Sequence, residues 1–346
     1  MLTILPTIDT EGTHGSKPFD QMIIGKLNNV DEEWGVFKLA KLFYKYNIKA
    51  TFFVDVYEHS LWGQQVMRDV CRKLIDFGAD VQLHTHPAWR DDPRDFKWLR
   101  KYKKKYSYMS QKKDFMTKLN LNEQIQILYE GIDLLDKWTN VSPIAHRGGG
   151  YSVNDNTIKA LQEVKIPIDS SMHWGHDNSH LTWTKNSIIK KDNIIELPVT
   201  ILNYVFSLPI LGNIYSKSMK TDIDTCSLHE LLEYTNIAKS KNIKLMNLFM
   251  HSYSLLNFNH DYTKFLPDHN TYKRLDNFLS MCKDIDDVQI ISCTEFYRQY
   301  SEKPELFEGS DFVPDIKTNL KIINLAKEKF INYLGNNYRK VFPIYN

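Results

Sequence analysis

Apolar positions along this chain fall into short solid runs, and between them lie stretches with helical spacing. Residues 2–9 form the first run and read as a buried strand. Beyond a glycine-containing loop at 12–16, Trp34, Phe37, Leu39, Leu42 and Phe43 recur within 32–46 as they would on one face of a helix. Residues 50–54 predict a second strand, 63–77 a helix ended near Gly78, and 79–83 a third strand. After an interruption come a helix at 121–138, a strand at 142–146, a helix at 154–164 capped by Asn154, and strands at 166–169 and 194–202. A helix at 227–241, a strand at 244–250, a helix at 270–283, a strand at 288–291 and a helix from Thr294 complete the series. Such β-α alternation predicts an α/β fold with parallel strands inside and helices outside. At 346 residues, a single barrel domain over 1–300 is the simplest organisation.

Two stretches depart from the alternation. Residues 90–120 are basic and aromatic. They predict a solvated insertion or a lid, with Trp98, Tyr102, Tyr106 and Tyr108 facing a ligand. Residues 301–346 carry no further strand signal and predict a C-terminal helical extension packed on the barrel.

Composition narrows the function classes. With 44 Lys plus Arg against 42 Asp plus Glu, no polyanion partner such as nucleic acid is expected. The 13% aromatic content suits sugar stacking as well as an ordinary core. Cys71, Cys226, Cys282 and Cys293 lack the spacing of a disulfide framework or structural zinc site. No signal-peptide pattern precedes the first strand and no apolar run reaches the roughly 18 residues of a membrane span, so a cytoplasmic protein is expected.

The candidate chemistry collects at strand ends: Asp9 and Glu11, His84 and His86, His146 and Arg147, Asp169, His251 and, more weakly, Glu295. In parallel α/β barrels the active site is built on that rim. Residues i and i+2 of a strand share a side, so His84 and His86 project together, as do Asp9 and Glu11. One carboxylate with two imidazoles can hold a divalent metal while leaving positions open for water and substrate. A second carboxylate can take a proton from that water, and a histidine opposite can protonate a leaving group. The same residues could instead serve as caps, as core ion pairs or as satisfied core histidines; His146 has no assigned role.

In order along the chain, these motifs resemble those of the polysaccharide deacetylase family (carbohydrate esterase family 4, the NodB-homology domain). The resemblance runs from about residue 3 to residue 300. It implies a distorted (β/α)7-type barrel. Residues 7–12 are similar to the first motif, which makes Asp9 the catalytic base and Glu11 a metal ligand; Thr10 separates them, where the family often has adjacent Asp. The sequence His84-Thr85-His86-Pro87 resembles the second motif, which supplies two metal histidines. The family usually spaces these at i and i+4, which here is Ala88. Either His86 serves instead, or His14, His173 or His176 completes the site. The third motif is matched by Arg147-Gly148-Gly149-Gly150-Tyr151, with Arg147 orienting the base. Asp169, with Trp174 after it, resembles the fourth, where an Asp tunes the catalytic histidine, and His251-Ser252 the fifth, with His251 as general acid.

The implied activity is metal-dependent hydrolysis of an N-acetyl group on an amino sugar, in the assembly of a glycan or surface polysaccharide. The implied cofactor is one divalent ion per chain, zinc above others. The implied partner is an N-acetylated saccharide, free or linked to a nucleotide or lipid. Gly149, Tyr151, Trp89 and Trp174 are expected to line it. Two other classes are compatible with the sequence: a metal-independent glycoside hydrolase working through two carboxylates, and a catalytically silent glycan-binding homologue.

Overall fold

The computed structural model describes residues 1–12, 20–28, 30–90, 114–208, 212–258 and 264–317. The insertion at 91–113, with Trp98, Tyr102, Tyr106 and Tyr108, together with His14 and residues 318–346, lies outside the described residues. In chain order the strands are β1 (Leu2–Thr10), β2 (Thr51–Asp55), β3 (Asp80–Thr85), β4 (Ala145–Gly148), β5 (Ile168–Asp169), β6 (Ile189–Lys191) and β7 (Ile194–Glu196). They continue with β8 (Ile201–Leu208), β9 (Gly212–Lys220), β10 (Leu245–His251), β11 (Leu256–Phe258), β12 (Phe265–Pro267), β13 (Val288–Ile290) and β14 (Asp315–Lys317). The helices are α1 (Val36–Lys45), α2 (His59–Trp62), α3 (Gln64–Asp76), α4 (Leu121–Thr139), α5 (Asp155–Glu163), α6 (Leu228–Ser240), α7 (His269–Lys283) and α8 (Cys293–Glu302).

The main sheet runs β10-β1-β2-β3-β4-β5-β7-β6, parallel except for β6, and curls into a distorted barrel. Between its two edges, irregular chain takes the place of strands. Phe249 of β10 donates its N–H to Thr221 and accepts one from Ile223, while Thr221 donates to Thr200. β1 has three neighbours. β10 lines one edge along Thr3–Asp9, and the other edge is shared, with β13 along Leu2–Ile4 and β2 along Thr7–Thr10.

Strand alternation separates two cores. Leu5, Phe53, Ala145, Ile168, Ile195 and Leu245 form the barrel interior, stoppered from below by Cys293, Phe296 and Phe307. Ile4, Ile8, Phe52 and Leu83 face outward and meet the helices through Phe37, Val70, Leu128 and Leu161. Above the apolar interior the same columns turn polar: Leu5 is followed by Thr7 and Asp9, and Leu245 by Asn247 and then His251. Because the strands are parallel, all their C-terminal ends open on one mouth.

Three expectations are corrected here. The strand expected at 194–202 is two strands, because Leu197-Pro198-Val199-Thr200 leaves the main sheet and β8 starts a separate three-stranded sheet ordered β14-β8-β9. In the C-terminal extension, α8 ends at Glu302 and the described residues beyond it, 303–317, hold a short 3-10 turn and β14 rather than a further helix. Glu295 is remote from the mouth. β13 pairs with Leu2–Ile4, the bottom of β1, and Glu295 just beyond it completes a capping box with Ser292 at the start of α8.

Candidate metal centre

Glu11, His84 and His86 each offer a ligand atom, all within 4.8 Å of one another. Glu11 Oε2 lies 2.7 Å from His86 Nε2 and 3.4 Å from His84 Nε2. Both imidazoles are buried and held from behind. His84 Nδ1 lies 2.8 Å from the Arg147 carbonyl, which can only accept, so Nδ1 carries a hydrogen and, in the neutral ring that binds a metal, the Nε2 lone pair faces Glu11. That Nε2 is buried and has no hydrogen-bond partner among the described residues. His86 Nδ1 is 3.1 Å from an Asp114 carboxylate oxygen. A second partner on the far ring nitrogen is how metal-binding histidines are usually oriented.

The ligand-bearing backbone is equally fixed. Ser252 Oγ donates to the Glu11 carbonyl at 2.6 Å, and Gly12 N–H donates to Glu58 Oε1 at 2.7 Å. Asp55 Oδ1 accepts from Tyr57 and His86 N–H groups. Burial pushes the Asp55 carboxyl up to about 7 against the pull of His86 and His84. Gly149 packs against the His86 ring so closely that a Cβ there would overlap it. Gly149→Ala should therefore displace His86 and weaken zinc binding about 10-fold or more, read by competition with a chromogenic chelator.

The donor set fits a divalent cation. Buried acids surround two imidazoles, one of which has an orphaned lone pair. Burial works to raise the Glu11 carboxyl, yet His86 and His84 outweigh it and hold the group well below its usual range. Burial works to lower the histidines, but Asp114 and Glu11 hold His86 well above its ordinary value, and Asp9 and Glu11 raise His84. In metal-free protein, the raised imidazoles contribute stability that is complete below the ordinary value of 6.5 and lost as pH rises through their folded values. Glu11, depressed, contributes above 4.5 and loses that contribution as pH falls through its folded value. Melting temperature of metal-free protein should thus fall as pH climbs from 6.5, and zinc should reverse that slope because the ion displaces the protons.

Beside this group stands a buried charge pair. Arg147 NH1 donates to Asp9 Oδ1 at 2.8 Å. Its other N–H groups reach the Ser170 carbonyl, Ser170 Oγ, Thr7 Oγ1 and Asn247 Oδ1, and its plane lies 4.4 Å from the Phe53 ring centroid. Asp9 is held in one orientation with its second oxygen left for other contacts.

On the other side of Glu11, His251 Nε2 lies 3.9 Å from Oε1. His251, Asp222 and Asp224 form a second group with metal-like spacing. There, however, Lys220 Nζ already sits 3.0 Å from Asp222 Oδ2, so this carboxylate has its counter-charge.

No family model matches the chain, and no curated protein matches its sequence. Among solved structures it is similar to a Mycobacterium smegmatis protein described as a polysaccharide deacetylase. The TM-score is 0.57 at 15% identity, over 91% of this chain and 95% of that one. The fold is that of the polysaccharide deacetylases. PuuE allantoinase shares it at TM-score 0.51 and 12% identity, over 87% of this chain and 90% of that one. A Pseudomonas aeruginosa PAO1 protein, also described as a polysaccharide deacetylase, gives 0.49 at 13% identity, over 87% and 91%.

On this polysaccharide deacetylase fold, the predicted residues separate into three sets. Asp9, Glu11, His84, His86, Arg147 and His251 meet at the mouth. Asp169 does not join them. The alternation that sends Ile168 inward turns Asp169 to the other face, where it bonds His146 Nδ1 and Ser171 and lies beside Glu196. The carboxylates grouped with His251, besides Glu11, are Asp222 and Asp224. Burial and Lys220 push His251 below its ordinary value, against Glu11, Asp9 and Asp222. His173 and His176, offered as alternative ligands, pack instead on the Tyr151 ring. Trp89 is buried in a 3-10 turn, and Trp174 lies under Lys185.

Asp55, Glu58, Asp114, Lys220 and Asp222 escaped the sequence reading. Asp55 ends an apolar strand just as Asp9 does, and the same rule would have found it. The others belong to no periodic run.

Proposed function

We propose that this chain is a metal-dependent deacetylase that hydrolyses the N-acetyl group of an amino sugar during glycan or surface-polysaccharide assembly. The observation that carries the reading is the Glu11–His84–His86 group with the Asp9–Arg147 pair beside it at the mouth. Glu11, His84 and His86 would hold the ion, most simply zinc. When bound, zinc polarises a carbonyl and makes a bound water acidic near neutral pH. Asp9, oriented by Arg147, is placed to accept a proton from the attacking water. His251 stands across Glu11 from the histidines, and Asp222 stabilises its imidazolium when a proton reaches it, so that the ring can pass that proton to the departing amine.

The carboxylate-only glycosidase reading leaves the buried, back-bonded histidine pair without a task. No helix among the described residues is long and apolar enough to cross a membrane. The saccharide, with whatever nucleotide or lipid carries it, would then meet the site from solution or from a membrane surface.

The test is acetate release from a panel of N-acetylated amino sugars, free and nucleotide-linked, before and after chelation. Activity lost on chelation and restored by zinc or cobalt is the expected result. Activity that survives complete metal removal would overturn the reading.

A further inference from the structure

Lys220 ends β9 and points its ammonium into the site. Three groups crowd that ammonium. Tyr151 Oη lies at 2.7 Å and Asp222 Oδ2 at 3.0 Å. The third is the ring of Phe249, whose centroid is 3.4 Å from Nζ. An ammonium can only donate, so Tyr151 Oη is the acceptor and keeps its own hydrogen. Among the described residues that hydroxyl makes no other hydrogen bond.

The Tyr151 ring cannot swing away. His173, His176 and Phe249 surround it with centroids 4.9, 4.8 and 5.8 Å off. Its backbone sits in the left-handed region at φ 61, directly after Gly150 at φ 59, a conformation that bulky residues seldom adopt away from functional sites. Burial raises the phenol above its ordinary value against the pull of Lys220, and Asp9 and Asp222 add to the rise.

Resting on the deacetylase reading, we propose that Lys220 is a positioning residue: it occupies the Tyr151 oxygen so that the phenol hydrogen is presented to an oxygen of the bound acyl group. Tyr151 is then a side-chain donor on the His251 side of the mouth, in addition to the metal. The Lys220 ammonium is itself enclosed by Tyr151, Asp222 and Phe249. Its effect passes wholly through Tyr151.

The experiment uses acetate as the probe and the cobalt(II) visible spectrum as the readout, so turnover is not required. Wild type, Tyr151→Phe, Lys220→Met, the double variant and Lys220→Arg are loaded with cobalt and titrated with acetate. All five should bind about one cobalt. Acetate affinity should fall about 10-fold in each of Tyr151→Phe and Lys220→Met, and no further in the double variant, because the two act as one unit. Lys220→Arg, which keeps a donor for Tyr151 Oη, should recover most of the affinity, a rescue that a purely structural lysine would not show. If Lys220→Met fails to fold, Tyr151→Phe and Lys220→Arg still decide the matter. Unchanged acetate affinity in Tyr151→Phe or Lys220→Met, additive losses in the double variant, or no acetate response in cobalt-loaded wild type overturns the inference. Failure of wild type to bind cobalt would instead sink the metal site on which the inference rests.

Discussion

Asp9→Asn should reduce turnover about 10^3-fold while the protein keeps its metal. The amide preserves the shape of the side chain, and its oxygen can still accept the Arg147 hydrogen bond at the position now held at 2.8 Å. What it cannot do is take a proton. Arg147 is fully buried and loses its charged partner, so a stability loss of about 3 kcal/mol is expected as well. Its bonds to Ser170, Thr7 and Asn247 keep the guanidinium in place. Kinetics and metal analysis on one preparation separate the two effects. Metal lost together with activity would mean that Asp9 is a ligand, and the division of roles between Asp9 and Glu11 would be wrong.

Removal of a ligand should show the opposite pattern. His84→Ala takes away the imidazole whose Nδ1 is tied to Arg147 and whose Nε2 points at Glu11. Metal content should fall from about one ion per chain to near zero at micromolar protein, and activity should fall with it. In metal-free protein the variant gives up the stabilising contribution of that imidazole while Glu11 keeps His86 as its partner, so its melting temperature is read alongside to establish that it folds. Elemental analysis of wild type and variant side by side is the check. A full complement of metal in His84→Ala would exclude the Glu11–His84–His86 centre.

Much of this site is legible in the sequence because strand ends announce themselves. Asp9, His84 and His251 each close an apolar run, and alternation places each relative to its neighbours without further information. Legibility fails where that logic has nothing to act on. Asp169 ends a two-residue strand, too short for alternation to reveal which face it takes, and the carboxylates that come near His251 are Asp222 and Asp224 instead. Glu295 also comes after a strand, but β13 is registered at the bottom of β1, and register between distant strands is not written in either segment. Lys220 and Asp222 come at the end of a half-exposed hairpin strand with little apolar patterning, and they reach the site through a backbone bridge to Phe249. The histidine spacing, by contrast, carries its own explanation. His84 and His86 flank one outward-facing Thr85, so both imidazoles of the candidate metal group come from a single strand end.

The three-neighbour position of β1 governs how the chain can fold as it is made. Thr3 pairs with Leu245 and Leu2 with Val288, so β1, made before the other strands of this sheet, waits for partners synthesised more than 240 residues later. Until then β2 can cover only its C-terminal half, and one whole edge and the lower part of the other stay open. Such non-local pairing slows folding and leaves an apolar strand edge available to other chains. Yield from bacterial expression should therefore respond to slower synthesis, lower temperature and chaperone supply, and a chain truncated before β10 should aggregate.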